Sequence, residues 1–217
     1  MSGTNSGAVY APPQLKEIEL ELDIDALLSG KFHRLSHVNR YSSIPTIRKE
    51  NVAEHSWYVA FYSYLLAKDL ERRYKDEELE IDYGKLLGRA LLHDLDESLT
   101  GDFLRIIKYG HPDLKKALDE VSVSMMIHMT KEVGVNLLPD WKSAKDDDLE
   151  GHIVQVVDLA RVVSYIWEEI KLGNEHIRPL LDEVCEYFET YCVTNEDTKV
   201  APYARRMADW VREHRNA

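Results

Sequence analysis

His93 and Asp94 stand side by side at the end of a segment whose apolar residues recur at helical spacing. His93 follows Leu86 and Ala90 on one stripe, and Asp94 follows Leu87 and Leu91 on the next, so both side chains are expected to face a core. A carboxylate in such surroundings must protonate, find a hydrogen-bonded cation or bind a metal. Asp158 repeats the pattern in HIVQVVDLARVVSYI, with Val154 four residues before it and Val162 four after. An ion pair with Arg161 is its alternative, yet such helix pairs add only ~0.2–0.5 kcal/mol and would not justify burial. His55 lies among Trp57, Tyr58 and Val59, where a core histidine with satisfied nitrogens competes with a ligand. Together His55, His93, Asp94 and Asp158 offer two imidazoles and two carboxylates from three helices. That set suits one divalent ion such as Mn, Co, Fe, Ni, Mg or Zn.

The elements that must position these groups read as helices throughout. No run shows sustained period-two alternation between hairpin turns, so the expected class is all-α, a compact helical bundle. Residues 53–73 are nearly apolar on every side and are expected to form a central helix. A second helix runs from about Asp82 into His93-Asp94, and a third from His111-Pro112 to a stop at Gly134. Residues 139–151 read as a surface connection whose three aspartates are a solvated acidic loop rather than a cation site. Helices over 152–172 and 174–192 follow, and a short one around Tyr203, Met207, Trp210 and Val211 closes the chain. The first fourteen residues read as a tail or docking arm, leaving 15–217 as one bundle.

Composition narrows the partners. The chain has 217 residues, with 27 Lys+Arg against 39 Asp+Glu, a formal net charge of −12. That field repels phosphate backbones and anionic lipid, which excludes nucleic-acid polymers and membranes and favours a small-molecule substrate. Cys185 and Cys192 fall about two helical turns, ~10 Å, apart and cannot bridge, so a reducing cytoplasm is expected. No apolar stretch is long enough to span a membrane, and the N-terminus lacks a secretory pattern.

The order NVAEHS at 51–56, HDLDESLTGD at 93–102 and a later isolated Asp in an apolar helix resembles the HD-domain metal-dependent phosphohydrolases. It is most similar to the bacterial 5′-deoxynucleotidases, over about Arg34 to Leu172. The resemblance implies that His55, His93, Asp94 and Asp158 are the ligands of one divalent metal ion. It assigns Glu97 to proton transfer or orientation of the attacking water, a role its place three or four residues past the metal pair allows. The alternative is an acidic helix end. Asp102 resembles the position that contacts the sugar 3′-hydroxyl, and its competing reading is a cap for the segment from Phe103.

Arg40 matches the family arginine that holds phosphate oxygens. Arg48 and Lys108 are weaker phosphate candidates, with surface salt bridges as the competing role. Where the family usually carries Trp after that arginine, this chain has Tyr41, at a position that shapes the sugar and base pocket. The implied activity is release of phosphate from deoxynucleoside monophosphates. The alternative is a deoxynucleoside triphosphate triphosphohydrolase, for example one preferring dATP, with Arg48, Arg105 and Lys108 supplying extra charge. A non-catalytic nucleotide-binding HD protein is a second alternative, and Glu97 counts against it. The family, with aromatic residues such as Tyr203 and Trp210, suggests a homodimer.

Overall fold

The structure, a computed structural model, describes residues 20–29, 31–77, 79–102 and 110–216. The expected N-terminal tail, Arg105 and Lys108 lie outside the described residues. Among those described there is no β-strand, only an isolated antiparallel bridge between Asn39 and Asn51. In chain order the helices are α1 (Ile24–Leu28), a 3-10 turn (Lys31–His37), α2 (Val52–Arg73), α3 (Tyr83–Leu92), α4 (Glu97–Thr100) and α5 (Pro112–Val133). There follow α6 (Leu138–Lys142), α7 (Leu149–Lys171), α8 (Leu180–Thr194) and α9 (Ala201–His214).

Local chemistry explains the boundaries. Asn51 Oδ1 accepts the Glu54 N–H at 2.9 Å to start α2, and Asp82 Oδ1 accepts the Lys85 N–H at 3.0 Å to start α3. Such caps satisfy backbone donors that the first turn leaves orphaned. Pro112 opens α5, and Gly134 ends it with a left-handed φ of +68°. A Cβ at Gly134 would stand 1.6 Å from the Glu21 carbonyl oxygen, so only glycine fits this end.

The acidic run is not merely solvated. Asp148 Oδ1 caps α7 through the Gly151 N–H at 2.9 Å and accepts Arg89 Nη1 at 2.6 Å, while Asp147 meets His152 at 2.9 Å. The helix therefore begins at Leu149, three residues earlier than expected. Residues 175–177 form a 3-10 turn, and α8 starts only at Leu180.

The main core gathers Leu70, Leu86, Ile153, Ile166, Phe188 and Val211 from α2, α3, α7, α8 and α9. A smaller cluster of Leu35, Val52, Leu95, Met126 and Met129 ties α5 to the turn after α3. Helix α2 is central but not buried on every side, because Trp57, Phe61, Tyr64 and Leu65 form an exposed stripe. Leu91 is also exposed, so the stripe assigned to Asp94 is only partly core-facing. Tyr203 is buried and donates to Asp69 at 2.6 Å, and Trp210 packs edge-on against Trp167. Cys185 and Cys192 are both free and buried.

Helix α7 organises what surrounds the site. Asp158, Arg161, Tyr165 and Glu169 share one stripe of it, at successive spacings of three and four residues. The segment 38–52 runs against that stripe. It is pinned to itself where the Arg40 N–H donates to the Glu50 carbonyl at 2.9 Å and the Val52 N–H to the Val38 carbonyl at 3.0 Å. It is pinned to α7 where Ile47 and Arg48 donate their N–H groups to Glu169 at 2.7 and 2.6 Å, and Tyr165 Oη donates to the Arg48 carbonyl at 2.5 Å.

Candidate active site

Four side chains from α2, the turn after α3, and α7 converge. His55, His93 and Asp158 are all buried. His55 Nε2 lies 3.0 Å from Asp158 Oδ1, and one ligand atom from each of His55, His93 and Asp158 lies within 4.8 Å of the others. Asp94 flanks the same cluster, its Oδ2 3.1 Å from His93 Nε2 and 3.7 Å from His55 Nε2. Asp158 does not pair with Arg161, which turns instead to Glu50.

The donor chemistry fits a divalent cation. His93 Nδ1 donates to the Ala90 carbonyl at 2.8 Å, which fixes the tautomer and leaves the lone pair on Nε2. That Nε2 is buried and makes no well-directed hydrogen bond, although Asp94 Oδ2 lies 3.1 Å from it. Two nitrogens and two carboxylates suit a borderline ion, and the chain's own cations lie on the carboxylates, Lys145 Nζ 2.6 Å from Asp158 Oδ2 and Arg40 Nη1 3.2 Å from Asp94 Oδ2.

The electrostatics agree with a site built for positive charge. Burial, helped by the Arg40 charge, pushes the His55 imidazole down to about 4, against its hydrogen bond to Asp158. It therefore stays neutral, as a ligand must. Burial alone would raise Asp158, but Lys145 and His55 hold it well below the usual carboxylate range. Asp94 is likewise lowered against burial, chiefly by His93. Glu97 is shifted the other way: burial, then the charges of Asp94, Asp102 and Asp96, raise it far above the usual range despite Arg40. Its Oε2 is buried with no hydrogen-bond partner. A carboxyl tuned upward and left unsatisfied beside a candidate cation site is the arrangement a proton-transfer group needs.

Arg40 sits at the edge of the cluster with its side chain 13% exposed, between Asp94 and Glu50. Tyr41 follows with φ +56°, the one non-glycine residue in the left-handed region among those described. Its ring stacks on Tyr165 at 4.8 Å and 5°, contact that offsets the backbone strain. Asp102 follows Gly101, whose φ of +79° ends α4, and its charge acts on both Arg40 and Glu97. Arg48 lies elsewhere, paired with Glu54 and Glu168.

Three contributors have no sequence signal of the kind that exposed the histidines. Lys145 comes from an irregular connection, and Glu50 directly precedes the Asn51 cap. Asp96 is buried inside HDLDES, accepting Ser122 Oγ at 2.5 Å and Trp141 Nε1 at 3.0 Å, and so anchors the turn that carries Asp94 and Glu97.

A profile of the family described as 5′-deoxynucleotidase YfbR-like matches residues 29–200. The chain belongs to this family. A 5′-deoxynucleotidase of Pasteurella multocida strain Pm70 is 31% identical over 145 residues, 65% of this chain and 72% of the relative. Two solved structures share the fold of this family member. An HD-domain phosphohydrolase from Listeria innocua aligns with a TM-score of 0.59 at 22% identity, covering 85% of this chain and 96% of its own. The cyanophage S-2L HD phosphohydrolase, bound to dA and one catalytic Zn2+ ion, aligns with a TM-score of 0.53 at 16% identity, covering 86% and 95%. The 5′-deoxynucleotidase family is one of hydrolases, and this chain is an HD-fold enzyme of that kind.

Proposed function

We propose that the protein hydrolyses the 5′-phosphomonoester of 2′-deoxynucleotides, water and the nucleotide giving a deoxynucleoside and inorganic phosphate. The observation that carries this reading is Glu97, its Oε2 buried and unpartnered, its N–H donating to the Asp94 carbonyl at 3.1 Å and its carboxyl feeling the charges of Asp94 and Arg40 at the edge of the His55, His93 and Asp158 cluster. These four hold a divalent ion, and zinc is one candidate, since the cyanophage HD phosphohydrolase carries a catalytic Zn2+. When bound, such an ion supplies Lewis acidity toward the phosphoryl group and acidifies water.

The chain's own groups do the rest. Glu97 Oε2 holds or accepts the proton of the attacking water. The Arg40 guanidinium binds phosphate oxygens and offsets charge that grows on them as the P–O bond breaks. Asp102 accepts a hydrogen bond from the sugar hydroxyl, and Tyr41 walls the sugar side of the pocket. A monophosphate is favoured over a triphosphate because Arg48 is already paired with two carboxylates.

A phosphate-release assay on deoxynucleoside monophosphates, their ribo counterparts and deoxynucleoside triphosphates, with added divalent metal, tests this. Turnover of the deoxy monophosphates is expected, and absence of phosphate release from all of them overturns the reading. A cytoplasmic homodimer completes the proposal. It is supported by the free buried cysteines, the lack of any described helix able to cross a membrane, and the exposed apolar stripe on α2. A monomer in sedimentation velocity at micromolar concentration would refute the dimer.

A further inference from the structure

We propose that Glu50 is a positioning residue for Arg40, its buried carboxylate holding the guanidinium in the orientation that meets the substrate's phosphate. The inference rests on the proposed function above and assigns a role to a residue outside the metal cluster.

Glu50 is fully buried, and its side chain faces two arginines. Its Oε2 lies 3.7 Å from Arg40 Nε, while its Oε1 ion-pairs with Arg161 Nη2. Its backbone takes part as well, because the Glu50 carbonyl accepts the Arg40 N–H at 2.9 Å beside the Asn39–Asn51 bridge. Arg40 is thereby hydrogen-bonded at its main chain by Glu50 and at Nη1 by Asp94, 3.2 Å away, while its Nε faces the Glu50 carboxylate at ion-pair distance without a hydrogen bond. A guanidinium hydrogen-bonded at Nη1 and drawn at Nε toward a buried negative charge is biased to present its fork in one direction, and bidentate phosphate recognition requires that.

Arg161 is what fixes Glu50 in turn. Its guanidinium lies over the Tyr58 ring at 4.0 Å, donates from Nη1 to Ser164 Oγ at 3.0 Å and is itself buried. A buried acid between two arginines is a costly arrangement for stability alone, since an apolar replacement of such groups is often neutral or better. Neutralising Arg161 would need no contact with Arg40. The geometry here supplies that contact from both the side chain and the backbone of Glu50.

The test uses the metal-loaded protein and inorganic phosphate as the probe. Glu50→Gln keeps the side-chain shape and removes the charge. It should raise the phosphate inhibition constant and the KM for a deoxynucleoside monophosphate about tenfold, equivalent to ~1.4 kcal/mol. Turnover number should fall as well, because Arg40 also offsets charge that grows on the phosphate, with metal content and inhibition by the unphosphorylated deoxynucleoside unchanged. In an Arg40→Ala background the same substitution should leave the phosphate constant where Arg40→Ala alone puts it. The double variant Glu50→Gln/Arg161→Gln should keep the phosphate deficit.

The proposal is overturned by an unaltered phosphate constant in folded Glu50→Gln, by an equal loss toward the deoxynucleoside, or by recovery in the double variant. Recovery would mean that Glu50 only neutralises Arg161. Should Glu50→Gln fail to fold, Glu50→Asp keeps the charge but shortens the reach to Arg40. The same shift in the phosphate constant is expected of it, and wild-type values overturn the idea. A wild-type protein that releases no phosphate defeats the functional reading and this inference together, whereas normal turnover with indifferent Glu50 variants defeats this inference alone.

Discussion

Glu169 offers a measurable test of how the segment carrying Arg40 and Glu50 is held. Its carboxylate is fully buried and accepts three hydrogen bonds, from the Ile47 N–H at 2.7 Å, the Arg48 N–H at 2.6 Å and Asn174 Nδ2 at 2.7 Å. Asn174 has a second acceptor in the Pro45 carbonyl at 2.8 Å, so removing Glu169 orphans chiefly the two backbone donors. At ~1–3 kcal/mol for each unsatisfied donor, Glu169→Ala should cost about 4 kcal/mol. Glu169→Gln keeps one acceptor oxygen and should cost about half of that, ~2 kcal/mol. Urea unfolding followed by circular dichroism on metal-free protein measures both as shifts in midpoint at constant slope.

The pH dependence of that difference is fixed in sign. Burial acts to raise the Glu169 carboxyl, but the hydrogen bonds from Asn174, Ile47 and Arg48 outweigh it and lower it from the ordinary 4.5. A carboxyl lowered on folding contributes stability that is complete above its unfolded value and fades as pH falls through the folded one. The gap between wild type and Glu169→Gln should therefore be full at neutral pH and narrow below about pH 4.5. A cost under about 1 kcal/mol for Glu169→Ala, or a gap that stays constant down to about pH 3, would refute the claim that this carboxylate ties the segment to α7.

Other outcomes follow from the site and the core. His93→Ala and Asp158→Asn should each lose bound metal by elemental analysis, and activity at least about 100-fold, with helical circular dichroism retained; full metal stoichiometry would contradict the ligand assignment. Glu97→Gln should lower the turnover number by about 10²–10⁴ while metal content stays constant, so unchanged turnover removes it from proton transfer. Phe188→Ala, at a fully buried position between α7, α8 and α9, should cost about 3–5 kcal/mol in urea unfolding, and a smaller loss would mean that the core there collapses to fill the space.

The parts legible in the sequence are those with local periodicity or local capping. The apolar stripes pointed His93 and Asp158 inward, Pro112 and Gly134 bounded α5 correctly, and the all-α class followed from the absence of alternation. What periodicity misled on was burial. Trp57, Phe61 and Leu65 belong to a segment that reads as apolar on every side, yet they lie on the outer face of α2, because a helix surrounded by neighbours and one with an aromatic surface stripe look alike in one dimension. The aspartate run at 146–148 read as solvated, although Asp148 caps α7 and grips Arg89 across 59 positions of chain. Arg161 shows the limit most clearly. From spacing its natural partner was Asp158, three residues away, whereas its ion pair with Glu50 joins residues far apart in sequence, a choice that only the packed fold makes. Lys145, in an irregular connection, likewise meets Asp158 only through the packed fold.

Helix α7 also acts as a ruler. Asp158, Arg161, Tyr165 and Glu169 span eleven residues, which at 1.5 Å per residue sets ~16 Å along the axis. Each mark on that length meets a different partner, from His55 through Glu50 and Tyr41 to the Ile47 and Arg48 amides. One residue inserted between 158 and 169 would turn every later mark by ~100° and shift it by ~1.5 Å, breaking several contacts with a single change. Length variation in this enzyme is therefore barred from the middle of α7.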